Sequence, residues 1–211
     1  MPTICPMQPE DLSDVARTHK AVYHRDHATA HFSERLLGAL YRAYLEAGAW
    51  CFVAIHHGHA VGFVLGGPTE ALARGMQTFR RHHRWSIALT ALATPAMWPV
   101  ACRRVRSAVH RRRRRGQKPA ARQAPQHLAH LLSIAVARQY QGTGVAHDLA
   151  EAFADDVKRR GYEKYLTSVR EDNVHSQNFF ASLGARRQYA KEGIVCLTID
   201  LGSPTGFPVR E

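Results

Sequence analysis

Leu131-Leu132-Ser133-Ile134-Ala135-Val136 leads, through the polar turn Arg138-Gln139-Tyr140-Gln141-Gly142-Thr143-Gly144, into a segment where Val145, Leu149, Phe153 and Val157 recur at every fourth position. The apolar run has the length and continuity of a buried strand. The recurrence predicts a helix over residues 145–160 with one buried face. Two glycines between a strand and a helix let the backbone approach a ligand closely. They also turn the first helical amides outward, and unpaired amides at a helix N-terminus attract anions. The guest this predicts is a phosphate or pyrophosphate. The spacing does not match the dinucleotide fingerprint, which needs GxGxxG and an acidic residue about 20 positions on, nor the Gly-Lys-Ser/Thr ending of a P-loop.

Outward from this core, the chain alternates strand and helix patterns. Thr3-Ile4-Cys5-Pro6 reads as an edge strand stopped by proline. Pro9-Glu10-Asp11 opens a helix whose inner face is Leu12, Val15, Ala16 and His19, extended by Val22 and Tyr23. Residues 24–31 are polar and rich in histidine, as a loop would be. Ser33 caps a second helix carrying Leu36, Leu37, Leu40, Tyr41 and Tyr44. Residues 50–55 and 60–65 predict a hairpin about His56-His57-Gly58-His59. Neighbouring turn histidines diverge and no Cys or carboxylate joins them, so no metal is expected there. The central strand is placed at residues 126–136, a further strand at 165–169, a helix at 173–183 ended by Gly184, and a last strand at 195–201.

The chain has 211 residues and 45% hydrophobic residues, enough for one domain with a proper core. Four scattered cysteines, Cys5, Cys51, Cys102 and Cys196, have no CxxC spacing, and no secretory leader is recognisable, so reduced thiols in the cytoplasm are expected. The formal charge of +12 has one source. Residues 69–120 hold 13 of the 29 Lys and Arg and a single acid, Glu70, so the rest of the chain is neutral.

Gln141-Gly142-Thr143-Gly144-Val145-Ala146 resembles the Gln/Arg-x-x-Gly-x-Gly/Ala signature of GNAT-type N-acetyltransferases, placed after an apolar strand as that family requires. Asn173-Val174-His175-Ser176-Gln177-Asn178-Phe179-Phe180-Ala181-Ser182-Leu183-Gly184-Ala185 is similar to the family's second recurring motif, in which an Asn opens a helix and an aromatic pair precedes Leu-Gly. The resemblance covers most of the chain outside residues 69–120. It implies an α/β (α+β) fold: a mixed, mostly antiparallel sheet flanked by helices, whose central strand splays from its neighbour so that acetyl-CoA wedges into the gap. Residues 1–211 then form a single acetyltransferase domain, with 69–120 an inserted helical, arginine-rich segment before the central strand.

The implied activity is transfer of an acetyl group from acetyl-CoA, the co-substrate, to a primary amine in a ternary complex, with no metal. The resemblance assigns the pantetheine arm to the backbone of Ile134, Ala135 and Val136, the pyrophosphate to Gln141, Gly142, Thr143, Gly144, Val145 and Ala146, and a further arm contact to Asn173. Many members carry a Glu base on the central strand. This strand offers His127, His130 and Ser133 instead. A strand period of two puts His130 on one face with Leu132 and Ile134. An ordinary His titrates at about 6.5 and would serve as the base, or would be a structural histidine near the strand end. Phe180 stands where many members have the Tyr that protonates the leaving thiolate. Either the thiolate leaves unassisted or Tyr189 or Ser176 supplies the proton. An amino-sugar acceptor is suggested by likeness to members from polysaccharide and nucleotide-sugar pathways. The alternatives are an acyl-CoA-binding regulatory protein with weak or no transferase activity and a protein N-acetyltransferase.

Within the insertion, residues 85–102 are uncharged, contain Trp85 and Trp98, and are followed by eight arginines in residues 103–115. Pro95 and Pro99 and a length short of ~20 apolar residues argue against a membrane span and for two shorter helices. These pack on the sheet or on a second subunit as a homodimer. Alternatively, residues 85–115 meet an anionic membrane surface, which would make the protein peripheral to the inner face of the membrane. Nucleic acid ranks below lipid, because an apolar neighbour gains nothing on phosphates.

Overall fold

The computed structural model describes residues 1–23, 27–94 and 128–202. Among these, seven strands form one sheet in the order β1-β2-β3-β4-β5-β7-β6. The strands are β1 (Thr3–Pro6), β2 (Trp50–His56), β3 (His59–Pro68), β4 (Ala129–Val136), β5 (Lys164–Arg170), β6 (Arg186–Lys191) and β7 (Ile194–Asp200). Every neighbouring pair is antiparallel except β4 and β5. The helices are α1 (Leu12–Val22), α2 (Glu34–Glu46), α3 (Thr69–His82), α4 (Arg84–Ala93), α5 (Val145–Arg159) and α6 (Val174–Ser182).

The local signals explain the helix boundaries. Asp11 accepts a 2.8 Å hydrogen bond from the Gln8 amide, closing a capping box ahead of α1. The Ser33 hydroxyl accepts from the Leu36 amide at 3.2 Å and starts α2. Gly161, at φ +83°, follows the end of α5, where an L-residue would be strained.

Two cores lie on opposite faces of the sheet. On one, α1, α2 and α3 bury Val15, Leu37, Tyr41, Tyr44, Leu72 and Phe79 over Val53, Phe63, Leu65 and Ala135. On the other, Val145, Leu149, Phe153 and Val157 of α5 and Phe180 and Leu183 at α6 cover Val64, Leu131, Val136, Tyr165 and Val195. Each such side chain contributes ~1.5–3 kcal/mol by leaving water. The close fit of α5 depends on β3. A Cβ on Gly66 would fall 2.3 Å from the His130 carbonyl oxygen and 2.4 Å from Phe153 Cζ.

Two expectations are corrected. The central strand has a bulge: Leu65 faces Ser133 while Gly66 faces Leu131, so Leu132 has no partner on β3. The alternation changes phase there. Ile134 joins Leu131 on the α5 side and Ala135 lies on the α1–α2 side, so His130 does not share a face with Ile134. A strand was also missing from the reading: β6 is exposed at all six positions and carries no apolar alternation. The first part of the insertion is helical, as expected: α3 buries Ala71, Leu72, Gly75 and Phe79, and α4 follows after His83. His127, Pro95, Trp98, Cys102 and the arginines of residues 103–115 lie outside the described residues, as does His24.

Candidate active site

The bulge and the parallel pairing together open the site. β4 and β5 pair at Ala129↔Tyr165, His130↔Leu166 and Leu131↔Thr167, and the pairing ends there. Past Leu131, β4 is paired with β3 from residue 133 to 136 on one edge and, among the described residues, with no strand on the other. A free strand edge presents alternating amides and carbonyls to any extended guest. Ile134, Ala135 and Val136 all lie on this stretch, and Leu132, half exposed at the bulge, lies at its mouth.

At its far end the strand enters the glycine turn. Gly142 and Gly144 have φ of +79° and +95°, and Gly144 is the N-cap of α5. The Gln141 side chain donates a 3.0 Å hydrogen bond to the Val136 carbonyl, tying the turn to the strand. Thr143 Oγ1 donates to the Tyr140 carbonyl at 2.7 Å, and Tyr140 Oη is bonded to His56 Nδ1 at 2.7 Å. The amides of His147 and Asp148 reach back to the Gly144 carbonyl. Those of Gly142, Gly144, Val145 and Ala146 donate to no other described residue. Four unspent N–H groups at the positive end of a 15-residue helix fit an anionic phosphate. This is the turn to which the sequence reading assigns a phosphate.

Asn173 caps α6, its side-chain oxygen accepting from the Ser176 amide at 3.0 Å, so its own amide group remains the part available to a ligand. His147 bonds Ser182 at 3.1 Å and holds α6 against α5.

The three catalytic candidates are not brought together. His130 sits on β4, half-buried, on the α1–α2 face; burial holds its pKa below the ordinary value. Ser176 is in the first turn of α6, a helix packed on the opposite face. Tyr189 lies on β6, three strands from β4 in the sheet order. It lines an open cleft of ≈ 960 Å³ together with Ser168, Arg170, Asp172, Lys191 and Cys196. The Cys196 thiol beside it raises the Tyr189 phenol. This cleft is on the face that α1 and α2 leave uncovered. Arg170, paired with Asp172 at 2.9 Å, lies close enough to His27 to depress the His27 pKa further below the value burial alone would give.

A cluster that the sequence reading passed over stands between these. Tyr23 Oη and Ser133 Oγ are 2.6 Å apart, joining the end of α1 to β4 just past its last pair with β5. The His19 ring stacks on Tyr23 at 4.0 Å and is bonded through Nδ1 to Tyr41 at 2.7 Å and through Nε2 to Thr29 at 2.8 Å. Burial, with a smaller contribution from His27, lowers the His19 pKa to about 3, so this imidazole is neutral at physiological pH. Burial raises both tyrosines, against the opposing hydrogen bond of Ser133. The only sequence signal was a polar His19 on an otherwise apolar helical face.

Comparison with known proteins agrees with this geometry. The family model described as Acetyltransferase (GNAT) family matches residues 14–185. No curated protein matches the sequence. Among solved structures, an N-acetyltransferase of Staphylococcus aureus Mu50 is similar at 14% identity and TM-score 0.59, over 95% of this chain and 99% of that one. The ribosomal-protein-S18-alanine N-acetyltransferase of Escherichia coli is 15% identical at TM-score 0.55 with both chains fully covered. The yncA protein of Salmonella typhimurium, solved with its cofactor acetyl-CoA, is 15% identical at TM-score 0.58, over 98% of this chain and 97% of that one. At these identities the likeness is one of fold.

Proposed function

The chain belongs to the acetyltransferase (GNAT) family, and from that premise we propose that it transfers the acetyl group of acetyl-CoA directly to the primary amine of a small molecule, with amino sugars the favoured acceptor class. That it is an acetyltransferase using acetyl-CoA follows from the family; the acceptor, the direct attack and the residue roles are the proposal. One observation carries it: among the described residues β4 has no partner on its β5 edge from residue 132 to 136, and it runs straight into a glycine turn with four unspent amides. Ile134, Ala135 and Val136 would hold the pantetheine arm by backbone pairing. Gln141, Gly142, Thr143, Gly144, Val145 and Ala146 would hold the pyrophosphate, with Asn173 against the arm. A strand amide in the gap would polarise the thioester carbonyl as charge develops on its oxygen. His130, neutral at physiological pH, would take the amine proton. The cleft beside Arg170, with mixed charge and Tyr189 on its rim, suits a polar acceptor with hydroxyls better than an apolar one.

The test is incubation of the protein with acetyl-CoA and a panel of amines, amino sugars included, with free CoA as the readout. Release of CoA that depends on an amino sugar supports the proposal; release only with peptide N-termini would reassign it to protein acetylation. The reading as an acyl-CoA-binding regulator keeps one observation in its favour. Phe180 is 4% exposed in the α5–α6 core and brings no hydroxyl to the reaction. It predicts tight CoA binding with no amine-dependent release.

For the arginine-rich region, we retain residues 69–120 as an insertion in a single domain of residues 1–211. Its α4 leaves Trp85, Leu89 and Leu92 at least 65% exposed near Arg80, Arg81 and Arg84. Aromatic and apolar side chains beside basic ones fit an anionic membrane surface, and the same apolar face would equally serve a second copy in a homodimer. Among the described residues no helix is long and apolar enough to cross a membrane.

A further inference from the structure

The acetyl-transfer reading leaves one chemical requirement unassigned. When the C–S bond breaks, its electron pair goes to sulfur, and the thiolate needs a proton. Phe180 has none to give, and Tyr189 lies three strands from β4 in the sheet order. We propose that Tyr23 is the general acid: its hydroxyl, held by Ser133 where β4 leaves β5, protonates the departing thiolate. This rests on the acetyl-transfer reading above.

Three features carry the assignment. The first is position. Tyr23 Oη lies 2.6 Å from Ser133 Oγ, next to Ile134 on the stretch of β4 that has left β5. Because of the bulge, Ser133 points to the α1–α2 face, the same face as the cleft where an acceptor can enter. The second is state. Burial raises the Tyr23 pKa, so the phenol keeps its proton at neutral pH and is ready to donate. The third is restraint. The His19 ring is stacked on Tyr23 with an interplanar angle of 8°, and His19 is itself held at both nitrogens by Tyr41 and Thr29. A donor fixed on two sides needs no reorganisation at the moment of reaction. His19, Tyr41 and Thr29 act as positioning residues.

The proton balance closes without an external partner. The N–C bond forms and the C–S bond breaks. Tyr23 Oη–H gives its proton to sulfur, Ser133 Oγ–H restores the Tyr23 hydroxyl, and Ser133 takes the surplus proton of the attacking nitrogen, directly or by way of His130. The proton shed by the amine thus ends on the thiol.

The experiment compares wild type with Tyr23→Phe, which keeps the ring stacked on His19 and removes the hydroxyl alone. Calorimetry with CoA comes first. If wild type does not bind CoA, the acetyl-transfer reading itself fails. With binding shown, the acceptor is hydroxylamine, a small amine already unprotonated at neutral pH, so that removal of the amine's proton does not limit the rate. Donors are acetyl-CoA and an acetyl thioester whose thiol is a much stronger acid than CoA. Tyr23→Phe is expected to lose ~10²-fold in kcat with acetyl-CoA, the usual size of a general-acid contribution, and only a few-fold with the activated thioester. A second readout needs no turnover. The ultraviolet absorbance of the CoA thiolate, titrated in the complex, is expected to show a higher thiol pKa in Tyr23→Phe than in wild type, because a donor to the thiolate has gone. Equal losses on both donors, or an unchanged thiol pKa, would overturn the assignment and leave Tyr23 structural while acetyl transfer stands.

Discussion

Replacing Gly142 by Ala separates the anion site from the fold around it. Gly142 sits at φ +79°, and a Cβ built there meets no protein atom within 4 Å. The folded state therefore suffers only the left-handed penalty of an L-residue, ~1–2 kcal/mol. For a domain of this size that lowers Tm by roughly 2–8 °C. The penalty is the same with or without ligand, since the turn keeps its conformation, so it cancels from the binding equilibrium. What remains is the new methyl group in the space that the pyrophosphate would use. Losing one charge-assisted hydrogen bond from an amide costs about 1.5–3 kcal/mol, a fall in CoA affinity of roughly 10- to 100-fold. Gly161→Ala is the matched control. It has φ +83°, an equally open Cβ position and a place at the far end of α5. It should show the same fall in Tm and no change in affinity. Calorimetry with CoA and a thermal melt on each variant decide the matter. If Gly142→Ala melts like Gly161→Ala and binds CoA as wild type does, the turn is not where the phosphates lie.

Other outcomes follow from the same geometry. His130→Ala should lower turnover at neutral pH by ~10²-fold with CoA affinity retained; because burial lowers the His130 pKa, the acid limb of kcat/KM in wild type should fall below about 6.5 and vanish in the variant. A limb that survives the substitution would exclude His130 as the base. Gly66→Ala drives a Cβ into the His130 carbonyl and Phe153, and should cost at least the ~1–3 kcal/mol typical of overpacking, read from the urea midpoint; a loss under a few tenths would mean that α5 can shift away freely. The intact protein should co-sediment with anionic and not neutral vesicles, salt-sensitively at ~1 kcal/mol per engaged basic residue, and replacement of residues 85–115 by a short linker should abolish it. Equal recovery in the supernatant with both vesicle types would remove the membrane reading.

The strand–turn–helix unit was legible because its signals are local: a continuous apolar run, two glycines and a four-residue recurrence all fall within residues 131–157. The family motifs added the splay and the ligand. What escaped was whatever depends on distant partners. Tyr23 and Ser133 are 110 residues apart in the chain, and nothing near either announces the other. β6 escaped because pairing with β7 alone makes it a strand; Arg186, Arg187 and Lys191 carry no buried face to betray it. The bulge escaped for the opposite reason. Leu131, Leu132 and Ser133 look like uninterrupted strand, and only the register against Gly66 and Leu65 reveals the extra residue.

That extra residue makes β4 two half-strands with independent phase. Residues 129–131 answer to one alternation and 133–136 to the other, so side chains on the two halves are chosen under different rules although they are contiguous. Deleting Leu132 would remove the bulge and close the register, with Leu131 against Gly66 and Ser133 against Leu65 and every side chain keeping its present face. A residue inserted after Ser133 would instead turn Ile134 toward the α1–α2 face and Ala135 into the α5 core. An insertion here is thus a change of chemistry, whereas the same event in a surface loop is a change of length. Alignments of this strand among relatives should be anchored separately on each side of the bulge, since a gap misplaced by one position would compare acceptor-facing residues with core residues.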